Sequence, residues 1–116
     1  MSIQRLHIGP RMSQVAIHGD TVYTAGIVAE DPKQDVAEQT RQILARIDQY
    51  LAEAGSDKTR ILSASIWLAD MKDFQAMNGV WDAWVEQGHT PTRACVESKL
   101  ATPDYRVEIR VIAARD

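Results

Sequence analysis

From Val107 to Ala113 every second residue is apolar. Val107, Ile109, Val111 and Ala113 fall on one side of an extended chain, with Glu108 and Arg110 on the other. A period of two with one apolar face predicts a strand whose one side is covered by a second layer. The chain supplies that layer upstream. Val36, Thr40, Ile43, Leu44, Ile47, Tyr50, Leu51 and Ala54 recur at spacings of three and four, the stripe of an amphipathic helix. Asp35, followed three residues later by Glu38, resembles a capping box, and Gly55 is placed to end the helix. The predicted helix is about 20 residues, or ~30 Å, long. Its other face, with Glu38, Arg41, Gln42, Arg46 and Gln49, reads as solvated.

A second alternating run, Pro91–Ser98, precedes the first. Arg93, Cys95 and Glu97 share one face, and Ala94, Val96 and Ser98 the other. Pairing this run with Tyr105–Ala113 as a hairpin would set Arg93 and Glu108 on one sheet surface, with register deciding the match. An arginine beside a carboxylate on a sheet is a receptor for a small anionic substrate.

The rest of the chain completes an α+β pattern. Val15 and Ile17 alternate with polar residues up to Gly19-Asp20, and Thr21–Thr24 follows as the second arm of a hairpin. Ile3–His7 reads as a further short strand. Leu62, Ala64, Ile66 and Leu68 alternate in another. Asp73 is expected to cap a second helix carrying Phe74, Met77, Trp81, Trp84 and Val85, with Gly88 ending it. The aromatic stripe of that helix reads as core. Gly79 inside it costs roughly 1 kcal/mol relative to alanine, which points to a close neighbour, a ligand path, or no role. The expected fold is a single domain, residues 1–116, with a mixed sheet and both helices packed on one face. The opposite face carries enough apolar side chains that self-association is a physically sensible cover for it.

Composition narrows the functional classes. A chain of 116 residues with 45% hydrophobic residues can bury a core without staples. Its formal charge of −3 offers no basic footprint for nucleic acid. With one cysteine, no intrachain disulfide forms. The start lacks the apolar core of a signal peptide, and there is no run of about 18 apolar residues. A soluble cytoplasmic protein with no membrane contact is expected. His7, His18 and His89 show no ligand spacing, and no glycine-rich phosphate loop occurs, so neither metal nor cofactor is expected.

Read singly, the candidate residues stay open. Cys95 is a small buried strand residue or a thiol lining a pocket. Arg93 is an anion receptor or an ordinary surface or ion-paired arginine. Glu108 is an exposed carboxylate, or the partner of Arg110 or Arg93.

An ordered set of short motifs adds to this. It comprises Ser13-Gln14, the strand ending at Gly26, Glu38-Gln39-Thr40, Ala54-Gly55-Ser56, Leu68-Ala69-Asp70, Asp73-Phe74, Met77-Asn78 with Trp81, Pro91-Thr92-Arg93, and Val107-Glu108-Ile109 with Ala113. In this the chain resembles, nearly end to end, the Rid family of reactive enamine/imine deaminases, and looks closest to its short bacterial members. The resemblance implies a chorismate-mutase-like α+β subunit. It also implies a homotrimer in which the sheets close a central barrel and three clefts lie between subunits. It implies that Arg93 grips the carboxylate of a 2-imino or 2-enamino acid and that Glu108 places or activates water. Cys95 and Gly26 would line the cleft and Asn78 would stand at its edge. The products would be a 2-oxo acid and ammonia, formed without a cofactor. Two positions depart from the family pattern: Met12 stands where a tyrosine is usual, and Ala25 where a serine is usual. Three alternatives accompany the deaminase expectation: a non-catalytic 2-oxo-acid-binding trimer, a hydrolase of another C–N bond, and, against the acidic charge, an endoribonuclease.

Overall fold

In the computed structural model, which describes residues 1–116, the chain forms a slab of 42 × 38 × 20 Å. Its thin dimension accommodates one sheet and one layer of helices, each about 10 Å deep. In chain order the elements are β1 (Ile3–Ile8), β2 (Ser13–His18), β3 (Thr21–Thr24), α1 (Val36–Glu53), β4 (Ile61–Leu68), α2 (Phe74–Trp84), β5 (Thr92–Glu97) and β6 (Val107–Ala114). Short 3₁₀ turns precede β4 and α2. The six strands run in the order β1-β2-β3-β6-β4-β5. All neighbours are antiparallel except β4 and β5. The expected mixed sheet with two helices on one face is the observed fold.

The amphipathic stripe of α1 is buried throughout, with Ile43, Leu44, Ile47 and Leu51 at most 1% exposed. It lies on the side of the sheet carrying Val107, Ile109, Val111 and Ala113. The Asp35 carboxylate accepts from the backbone N–H of Glu38 at 2.9 Å, so the cap forms as expected. The reciprocal half of the box does not form, because the Glu38 carboxylate bonds forward to Arg41 and Gln42. Gly55 follows the helix with φ +80°, the left-handed conformation a glycine adopts without strain.

Four local expectations are corrected. The runs Pro91–Ser98 and Tyr105–Ala113 do not pair as a hairpin, because β4 lies between β5 and β6. The helix α2 carries the chain across the sheet face, so β5 returns parallel to β4 at the sheet's edge. The more apolar β6 takes the central slot between β3 and β4, where its inner face is at most 1% exposed. Leu62 leaves the buried alternation, since the register between β4 and β6 shifts between Ile61 and Ser63. Asp73 makes no side-chain cap. Its carboxylate instead pairs with Arg106 Nη2 at 2.5 Å, tying the start of α2 to the start of β6. The helix stops at Trp84 rather than near Gly88, because Val85 turns extended and buries its side chain.

One buried polar residue escaped the pattern analysis. Gln39 is fully buried, and its Nε2 lies 2.9–3.0 Å from the carbonyls of Pro32, Gln34 and Asp104. Its Oε1 accepts from the Arg106 N–H at 2.9 Å. A single amide thereby ties together backbone groups of two loops.

Opposite the helices the sheet is bare. Trp67 and Ile112 are half-buried there, while Tyr23, Val96 and Arg110 are exposed. No helix of the chain is long and apolar enough to cross a membrane.

Candidate active site

Strand β5 presents Arg93, Cys95 and Glu97 on one face. Cross-strand pairing of Arg93 with Ala64 and of Cys95 with Ile66 puts that face on the helix side. Arg93 Nη1 donates to Asn78 Oδ1 of α2 at 2.8 Å. The guanidinium carbon lies 5.4 Å from the Trp81 ring centroid and 5.9 Å from that of Phe74, distances at which a cation is drawn to an aromatic face. Arg93 makes no ion pair. It is therefore a pre-oriented cation with free N–H donors, the arrangement a carboxylate needs. The aromatic stripe of α2 thus has two uses: Trp81 fills the core and also supports the arginine.

Cys95 is half-buried two residues along the same face. Burial pushes its thiol pKa up while Arg93 draws it down, and burial is the larger effect. The net direction favours the thiol over the thiolate.

Glu108 stands apart from this cluster. It pairs with Trp67 across β6 and β4, on the bare face of the sheet. Arg93 and Glu108 therefore occupy opposite faces of the sheet, and the expectation that they share a surface is corrected. The reason is the parity of the register: Ala64, paired with both Arg93 and Val111, points to the helices, whereas Glu108 has the opposite parity on β6. Neither Arg110 nor Arg93 pairs with Glu108, whose carboxylate has no hydrogen-bond partner within the chain. Burial alone raises its pKa.

Gly26 explains how that carboxylate fits. A Cβ built on Gly26 would lie 2.1 Å from Glu108 Oε2 and 2.9 Å from its Cδ. The backbone of Gly26 is not left-handed, so space and not conformation excludes a side chain here. The cradle is formed by an irregularity in the sheet. Tyr23 pairs with Ile112, and Ile27 next pairs with Ile109. Residues 24–26 thus stand against 110–111, one residue in excess, and the bulge re-aims Gly26 under Glu108. Thr24 fills the gap in the ladder, its Oγ1 accepting from the Val111 N–H at 3.1 Å.

The candidate residues thus form two clusters, Arg93 with Asn78 and Cys95 on the helix side, and Glu108 with Gly26 on the bare side. Met12 and Gly26 line a cavity of 290 Å³ together with Arg46 and Tyr50, two residues that the sequence pattern had assigned to a solvated face and to the core. The largest cavity, 570 Å³, lies between α1 and α2, with Gly79 in its wall and none of the candidate residues. No atom comes within 4 Å of a Cβ built on Gly79, so no close neighbour accounts for that glycine.

Known proteins share this architecture. The sequence profile described as endoribonuclease L-PSP matches residues 3–115. A RutC family protein, YoaB, of Escherichia coli is 48% identical over 114 residues, covering 98% of this chain and 99% of that one. The 2-iminobutanoate/2-iminopropanoate deaminase of Salmonella typhimurium is 31% identical over 115 residues, covering 93% and 89%. The crystal structure of a YjgF family member from Neisseria meningitidis superposes with a TM-score of 0.97 at 47% identity, covering 100% of this chain and 97% of that one.

Proposed function

Because the chain belongs to the endoribonuclease L-PSP family, known also by the names YjgF, RutC and Rid, we propose that it is an imine/enamine deaminase whose site is completed between copies. The observation that carries this reading is the placement of an unpaired guanidinium and an unpaired carboxylate on opposite faces of one sheet. A single subunit cannot apply both to one small molecule. A second copy packed on the bare face supplies Glu108 and Gly26 opposite the first copy's Arg93, Asn78 and Cys95. The homotrimer with inter-subunit clefts that the family resemblance implies meets this requirement and covers the exposed apolar residues.

The chemistry then follows from the groups. Arg93 holds the carboxylate of a 2-imino acid through two parallel hydrogen bonds, which fixes the C=N carbon. Water adds to that carbon as Glu108 takes its proton. Glu108 passes the proton to nitrogen, and the carbinolamine collapses with loss of ammonia, leaving C=O in place of C=N. A carboxyl whose pKa is raised by burial is suited to this exchange of a proton in both directions. The imine is electrophilic already, and no step requires a cofactor.

A second reading, a non-catalytic binder of 2-oxo acids, draws on Met12 and Ala25, which remove two hydroxyl groups from the usual cleft. Ribonuclease action finds no support in a chain of net charge −3. The test is ammonia release from 2-iminopropionate or 2-iminobutanoate, generated in situ by an amino-acid oxidase, for wild type and Arg93→Ala. Accelerated hydrolysis is expected for wild type and should be lost in the variant with its oligomeric mass unchanged. Full activity in Arg93→Ala would remove Arg93 from the mechanism; saturable binding without ammonia release would favour the second reading.

A further inference from the structure

The cavity beside Gly26 contains a cation that the reaction above does not use. Arg46 lines this 290 Å³ cavity and also a smaller one of 160 Å³ walled by Val28, Glu30 and Gln42. Its Nη1 donates to the Tyr50 hydroxyl at 3.4 Å and its Nη2 lies 3.5 Å from Glu30 Oε2. Both contacts are long beside the roughly 2.7–2.9 Å of a strong charged hydrogen bond. The Glu30 side chain is 82% exposed, so it is a loosely held partner. Tyr50, by contrast, is buried, and the guanidinium carbon sits 5.8 Å from its ring centroid. The cation is thus fixed from below by an aromatic ring and only weakly engaged at its tips. Gly26 and Met12 share its cavity, so Gly26, which lies beneath Glu108, is common to both, while Glu108 itself does not line the cavity.

We propose that Arg46 binds a second acidic group of the substrate, so that the site selects 2-imino acids with an acidic side chain, 2-imino dicarboxylates. This rests on the deaminase reading for turnover, though not for binding. A molecule lying across Gly26 has its α-carboxylate on a second copy's Arg93 and its distal carboxylate on Arg46, displacing Glu30. Met12 supplies a flexible apolar wall between the two ends, where a tyrosine would narrow the passage. Glu30 then acts as an internal competitor for the anion.

The experiment has a turnover arm and a binding arm. Hydrolysis of 2-iminosuccinate and 2-iminopropionate is compared for wild type, Arg46→Lys, Arg46→Met and Glu30→Gln, and binding of oxaloacetate and pyruvate is measured by calorimetry on the same proteins. Wild type is expected to favour the diacid at least tenfold in kcat/KM and in affinity. That ratio should fall towards one in Arg46→Met through KM, recover in part in Arg46→Lys, and rise in Glu30→Gln. Equal affinity for diacid and monoacid, or a ratio unmoved by Arg46→Met, overturns the proposal whatever the turnover. Should neither imine be hydrolysed faster while oxaloacetate binding still depends on Arg46, the deaminase reading falls and the second anion site stands.

Discussion

Replacing Gly26 with alanine tests the cradle directly. The new methyl would sit 2.1 Å from Glu108 Oε2, 2.9 Å from Cδ and 3.3 Å from Cγ. No carbon–oxygen pair tolerates such contact, so the carboxylate must swing aside. The clash is with the far end of a flexible side chain, so the cost to folding is that of a forced rotamer in a crowded place, about 1–2 kcal/mol. Against it stands a gain of about 0.4–1 kcal/mol from the stiffer unfolded chain, since the native backbone at this position is not left-handed. Gly26→Ala should therefore lose up to about 1.5 kcal/mol. In a Glu108→Ala background the obstacle is gone, and the same change should be neutral or stabilising. The coupling energy of the cycle is expected to be about 1–2 kcal/mol. Urea denaturation of the four proteins at one protomer concentration measures it. Under the proposed deaminase reading activity is the more sensitive readout, since a misplacement of 1 Å at the reacting groups costs on the order of 10²-fold. An equal stability change for Gly26→Ala in both backgrounds would refute the steric argument, and undiminished imine hydrolysis would separate Glu108 placement from catalysis.

Burial raises the pKa of Glu108 above its unfolded value, so the stability tied to its protonated form is present in acid and lost as pH rises through the folded-state pKa. Glu108→Gln should accordingly gain stability at neutral pH relative to wild type and gain little near pH 4, a difference that thermal melts at the two pH values will register; equal gains at both would show that charge is not the cause. Gly79 lies mid-helix with open space where a Cβ would point. Alanine there should stabilise by about 0.5–1 kcal/mol, a rise in Tm of a few degrees, and a loss of stability would refute the reading of Gly79 as a glycine with open space beside it.

Much of the fold was legible because its signals are local. The stripe from Val36 to Ala54 repeats with the helical period, Asp35 bonds its own helix three residues on, and Gly55 takes the conformation its missing side chain allows. Likewise the hairpin at Gly19-Asp20 and the alternation of Val107–Ala113 need no knowledge of distant residues. Asp73 shows the limit. In sequence it is a capping residue like any other, and it is the arrival of Arg106 from far along the chain that claims its carboxylate. Leu62 shows it again, since a single register shift against β6 turns an apolar residue outward.

The sequence by itself determined which segments are helices and strands, which face of each is apolar, and that one sheet face would be left bare. All of these depend on periodicity, which is set by the geometry of a single segment. Only the tertiary structure decided which strand lies beside which, because an alternating strand carries no mark of its partner. That choice separates Arg93 from Glu108 by inserting β4 between β5 and β6, and it brings Gly26 beneath Glu108 through an extra residue in the strand opposite. Arg46 joins the wall around Gly26 for the same reason: its place on α1 is written in the sequence, but the cavity it faces exists only once the start of β2, the segment after β3 and α1 are packed together.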